Sequence, residues 1–159
     1  MKKALFFTIF AILSASGSDA NSAKNSANDA RISLVKSLYI KDTYFGDHKN
    51  ALSASFRSVL MQDEASAGEG EVGCLDYDPV IGGQDVCDDA KYDFELGQRD
   101  TVVVTQTCPY GAQTIIYKLV RSGGDYKIDD IYNQDPSSGR AFSVKNQILN
   151  CLNQSKEHQ

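Results

Sequence analysis

Thr101-Val102-Val103-Val104-Thr105-Gln106-Thr107-Cys108, followed by Pro109-Tyr110-Gly111, is the stretch that decides the fold. It is a β-branched run closed by a turn, and the next segments repeat the plan. Residues 114–121 read Thr-Ile-Ile-Tyr-Lys-Leu-Val-Arg, Ser122-Gly123-Gly124-Asp125 supplies a second turn, and Tyr126-Lys127-Ile128-Asp129-Asp130-Ile131-Tyr132 follows. β-branched and aromatic residues alternating between turn signals predict strands, and glycine provides the positive φ of a tight hairpin. Upstream, residues 91–96 alternate as well, with Tyr92, Phe94 and Leu96 on one side. The pattern predicts an antiparallel meander of four strands.

Working outward from the sheet, the spacing changes from two to that of a helix. Ile32, Val35, Leu38 and Tyr39 form one apolar stripe over residues 30–42, with Asp29 as the expected cap. Tyr44-Phe45-Gly46-Asp47 breaks that helix, and residues 50–62 predict a second one with Leu52, Phe56, Val59 and Leu60 inward. Residues 65–73, rich in glycine, read as a linker. After the sheet, residues 142–152 place Phe142, Ile148, Leu149 and Leu152 along a third helical face. The fold class is therefore α+β, with helices covering one face of an antiparallel sheet.

The N-terminus carries Lys2 and Lys3, then an apolar stretch over residues 4–13, then small residues ending in Ser18-Asp19-Ala20. This is the pattern of a secretory signal peptide, with cleavage before Asn21 preferred and Ala15-Ser16-Gly17 as a second possible site, and it is shorter than the roughly 20 apolar residues a membrane span requires. No cysteine follows the apolar core, so a lipid anchor is not expected. Residues 21–28 then form a flexible lead-in, residues 29–154 one domain, and residues 155–159 a frayed tail. The expected location is the periplasm or the exterior, with no membrane insertion after cleavage.

The chain has a net charge of −5, and loss of the first 20 residues removes two lysines and one aspartate, leaving −6. That balance disfavours nucleic acid and suits a basic protein partner. The four cysteines, Cys74, Cys87, Cys108 and Cys151, predict two disulfides in an oxidising compartment. Zinc is the weaker reading, because there is no Cys-x-x-Cys pair and the only histidines are His48 and His158. Three pairings are open. The one preferred closes Cys74 on Cys87 and ties Cys108 to Cys151.

Between the first two cysteines, Asp76, Asp78 and Asp85 cluster with Tyr77 and Gln84, and Asp88 and Asp89 follow. Calcium could use such oxygens, but Val80 and Cys87 occupy places where an EF-hand needs carboxylates. The main expectation is that these acids accept hydrogen bonds from loop amides. Asp129 and Asp130 interrupt an apolar strand, and alternation would turn one of them inward, where an ionised carboxylate must be paired. An interior Asp130 with Tyr117 or Tyr126 would resemble the base and oxyanion donor of ketosteroid isomerase. No nucleophile–base pair and no phosphate-binding glycine loop is present, and neither metal nor cofactor is expected.

The order Tyr44-Phe45, Leu75-Asp76-Tyr77-Asp78-Pro79, Gln84-Asp85 and Tyr126-Lys127-Ile128-Asp129-Asp130-Ile131 resembles the YqhG and YbjP type of bacterial cell-envelope proteins. The resemblance spans residues 31–152. It implies export, a domain of unknown function and a cone-like fold similar to nuclear transport factor two, with no established enzyme activity. The functional expectation is a non-enzymatic protein-binding module, such as an inhibitor or immunity protein. Its candidate contact residues are Asp76, Tyr77, Asp78, Gln84, Asp85, Asp129 and Asp130, with Tyr110 as a further loop anchor. The competing expectation is a small-molecule pocket or an isomerase- or hydratase-like enzyme built on Asp130. Homodimerisation through an open sheet face is left undecided by the sequence.

Overall fold

In the computed structural model the described residues are 18–40, 44–68, 70–85, 87–135 and 138–157. The expected signal segment up to residue 17, and His158, lie outside them. Three α-helices, α1 (Ser18–Lys36), α2 (Ala54–Ser66) and α3 (Val144–Glu157), accompany five strands, β1 (Lys91–Leu96), β2 (Thr101–Cys108), β3 (Gly111–Ser122), β4 (Asp125–Gln134) and β5 (Ala141–Ser143). The sheet is antiparallel throughout, in the order β1-β2-β3-β4-β5. It is thus an α+β domain whose sheet has one strand more than expected. The additional strand, β5, takes Phe142 from the predicted third helix and pairs it with Asn133.

Period two sets which face is covered. Val102 and Val104 of β2, Ile115, Tyr117 and Leu119 of β3, and Ile128 and Ile131 of β4 are buried. They meet Val35 and Leu38 from the first helical segment, Phe56, Val59 and Leu60 from α2, and Val144, Ile148 and Leu152 from α3. Burying each such aliphatic side chain contributes about 1.5–3 kcal/mol.

Several helix boundaries differ from those predicted. Helix α1 includes residues 21–28, and Asp29 is interior to it rather than a cap. A 3-10 turn, Phe45–Ala51, precedes α2, which is capped by Ser53: its hydroxyl accepts the Phe56 amide at 3.0 Å. Helix α3 continues through residues 155–157, which were expected to fray. His48, expected in a solvated turn, is half-buried in the 3-10 segment.

The disulfides join Cys74 to Cys151 and Cys87 to Cys108, and no described cysteine is free. The preferred pairing from sequence is therefore wrong. The segment between Cys74 and Cys87 is not closed upon itself; one end is fastened to α3 and the other to the end of β2. Among the described residues no helix is long and apolar enough to cross a membrane.

Candidate binding furrow

Residues 73–85 make up a ridge outside the helices and strands, so its backbone polar groups must find partners individually. At its base Asp63 of α2, only 5% exposed, accepts the amides of Cys74 at 2.6 Å and Leu75 at 3.2 Å. Gly73 fits beside that carboxylate because a Cβ there would come within 2.7 Å of it. Asp78 accepts the Phe45 amide at 3.0 Å and the Val80 amide at 2.8 Å. Asp78 and Gly83 exchange backbone hydrogen bonds, closing a tight loop in which Gly82 has φ +65°. The sheet holds this loop through amide side chains: Asn133 donates to Pro79 O at 2.9 Å, while Gln113 donates to Ile81 O and to Gln106 Oε1. Gln84 donates to Asp76 O at 3.2 Å.

Two open grooves flank the ridge. The first, about 600 Å³, has Phe45, Leu60, Leu75 and Pro79 in its walls and Tyr44, Asp76, Tyr77 and Asp78 around it. The second, about 380 Å³, runs between the ridge and the β2–β3 turn and includes Asp85, Cys87, Tyr110 and Ala112. Ile81 and Gln84 line both, so the grooves adjoin. Tyr44 is 72% exposed and Tyr110 80% exposed, one in each groove.

The predicted acids separate by role. Asp78 is half-buried and occupied by amides, as the loop-architecture expectation required. Asp76 and Asp85 are exposed, and among the described residues their carboxylates accept no hydrogen bond. Glu64, also in the first groove, is paired with Lys49 at 2.6 Å. The Tyr77 hydroxyl, expected as a free loop anchor, instead lies 3.1 Å from Gln147 Oε1 and 3.3 Å from Asn133 Oδ1. Burial pushes its phenol up to about 12, and the neighbouring Asp76 charge acts in the same direction.

Asp129 and Asp130 stand elsewhere, on a β-bulge. The β3–β4 register shifts between Lys118 and Leu119, which face Asp130 and Ile128, so Asp129 is the extra residue. Ile128 and Ile131 are consequently both fully buried although three positions apart. Simple alternation is therefore broken where the sequence expectation relied on it. Asp129 accepts the Ser53 hydroxyl at 2.8 Å and pairs with Lys145 at 3.3 Å and Lys118 at 3.5 Å. Desolvation works to raise its pKa, but the Ser53 hydrogen bond and the two ammonium groups together hold it below the ordinary value. Asp130, 5% exposed, accepts the Ser143 hydroxyl at 2.6 Å and the amides of Ile131 at 2.9 Å and Lys145 at 3.1 Å, anchoring the first turn of α3.

The tyrosines proposed to accompany Asp130 have other partners. The Tyr117 hydroxyl is 2.7 Å from that of Tyr39, and burial raises both phenols. The Tyr126 hydroxyl accepts from Arg121 at 3.0 Å. Asp63, Gln113 and Asn133 were not singled out from sequence. Gln106 and Asn133 did carry a signal, as polar residues at buried strand positions. Among the described residues no three His, Cys, Asp or Glu side chains are grouped to hold a metal ion. The chain matches no protein-family model, no curated protein and no solved structure.

Proposed function

We propose that this chain is an exported, disulfide-stapled module that binds a basic protein and catalyses no reaction. The observation that carries the reading is the first groove, where the unoccupied carboxylate of Asp76 stands beside an apolar wall and the exposed ring of Tyr44. An apolar surface with a few convergent polar groups is what a recognition site needs. The engagement of Asp130 with Ser143 and Lys145 supports binding over a reaction, because a general base needs a carboxylate free to reach a substrate proton. An inhibitor or immunity role is one form such a module takes. Export is supported by the lysine-then-apolar N-terminus and by the pairing of all four cysteines. Helices packed on one side of an antiparallel sheet are the α+β frame that the cone-like reading requires, while the envelope family rests on the sequence motifs alone.

The test is affinity capture from a periplasmic extract with the wild-type protein and with Asp76→Lys, followed by mass spectrometry. The reading expects a stoichiometric basic protein retained by the wild type and lost from the variant. A protein retained equally by both would place its contact away from the groove.

A further inference from the structure

The two grooves meet at Ile81 and Gln84, and each has its own unoccupied carboxylate and its own exposed tyrosine. We propose that they form one recognition furrow for an extended peptide segment of the partner, alternating cationic and aliphatic side chains, with one cation read by Asp76 and another by Asp85. This rests on the binding reading above and adds the second half of the site and the shape of the ligand.

Three features carry it. First, the grooves are joined: Ile81 and Gln84 line both, so a ligand that fills the two passes over these side chains. The groove volumes of about 600 and 380 Å³ each fall within the range of about 300–1,000 Å³ typical of ligand clefts. Second, the acids are presented rather than consumed. Asp78 between them holds the loop through the Phe45 and Val80 amides, whereas Asp76 and Asp85 face outward on a backbone already satisfied by Asn133, Gln113 and the Asp78–Gly83 bridge. Third, the platform is held at both ends by the Cys74–Cys151 and Cys87–Cys108 disulfides, which limits the ordering cost of binding. Tyr44 and Tyr110 add aromatic faces on which a guanidinium can stack.

The probe is a capped repeat peptide of Arg-Leu-Gly units, titrated by isothermal calorimetry into the intact, oxidised protein at low and high salt. A repeat in which Gln replaces Arg serves as control. Asp76→Asn and Asp85→Asn should each weaken the arginine peptide about three- to fivefold, the effect expected of an exposed ion pair. Glu95→Gln, which removes an equal charge from the exposed side of β1, should leave affinity unchanged. Loss on Asp76→Asn alone would overturn the two-groove inference and leave the simpler binding reading standing. Equal loss on Glu95→Gln would reduce the interaction to diffuse charge attraction and overturn the furrow. Absence of saturable binding would also overturn it, while capture of a basic protein dependent on Asp76 would keep the broader reading.

Discussion

The ridge of residues 76–85 and the bulge at Asp129 and Asp130 carry the same side-chain chemistry on different backbones. In the strand, β4 pairs with β3 on both sides of one extra residue, and that irregularity creates a local need that the acids answer: Asp129 ties β4 to α2 and α3, and Asp130 starts α3. On the ridge there is no ladder, so amide-bearing side chains from the sheet and two acids, Asp63 of α2 and the ridge's own Asp78, hold the backbone. The remaining acids are left facing solvent. A carboxylate's neighbourhood, rather than its presence in an acid-rich motif, thus separates the acids used by the architecture from those left exposed.

The largest way to disturb this contrast is to release the ridge. Replacing Cys74 and Cys151 with serine removes a crosslink spanning 77 positions and should cost about 4 kcal/mol of stability. The Cys87 and Cys108 pair, spanning 21 positions, should cost about 3 kcal/mol. Urea unfolding of the two double variants checks both the size and the order.

Next comes the bulge. Asp130→Ala removes a buried acceptor serving the Ser143 hydroxyl and two amides, and should lower stability by about 2–3 kcal/mol. Melting curves and α3 amide exchange would show the loss. An unchanged melting temperature would mean that the helix start does not depend on this acid.

The two regions should also answer oppositely to pH. Asp129 has a depressed folded pKa, so its contribution is present above the ordinary value of 3.8 and disappears as pH falls through the lower folded value. Asp129→Asn should reduce the acid sensitivity of unfolding. Tyr77 on the ridge has its phenol raised from 10.0 to about 12, so its contribution is complete below pH 10 and is lost as pH rises through 12. Tyr77→Phe should reduce the alkaline sensitivity. Stability measured across both limits separates these effects.

Smallest in stability is the exchange of the free acids. Asp76→Asn combined with Asp85→Asn should change stability by less than about 0.5 kcal/mol, because neither carboxylate accepts a hydrogen bond among the described residues. A larger loss would show that these acids belong to the architecture, as Asp78 does.

Much of the sheet was legible because Val102, Val104, Ile115, Tyr117 and Ile128 keep period two against turns containing Gly111, Gly123 and Gly124. The fifth strand was not, since Ala141–Ser143 is too short for a pattern and owes its conformation to pairing with β4. The bulge had no local signal: Asp129 and Asp130 are neighbours, and only the partner strand's register shows which is extra. Likewise residues 21–28 lack an apolar stripe, so nothing in them marked them as helical. Cysteine pairing is a long-range property, and sequence proximity favoured Cys87 for Cys74 where the fold brings Cys151. The ridge was recognised as a candidate site, yet Asp63, which seats it, looks like any acid on an amphipathic helix. Tyr77 was likewise read as a free anchor because its partners Asn133 and Gln147 are distant in sequence.

The most direct measurement sets Asp76→Asn/Asp85→Asn beside Asp130→Asn, recording the melting temperature and the affinity for the Arg-Leu-Gly peptide of each. The account predicts that the ridge variant loses about tenfold in affinity with its melting temperature unchanged, and that the bulge variant loses melting temperature while retaining affinity once folded. A ridge variant that melts early with affinity intact, or a folded bulge variant that no longer binds, would contradict the division between a presented and a structural set of acids.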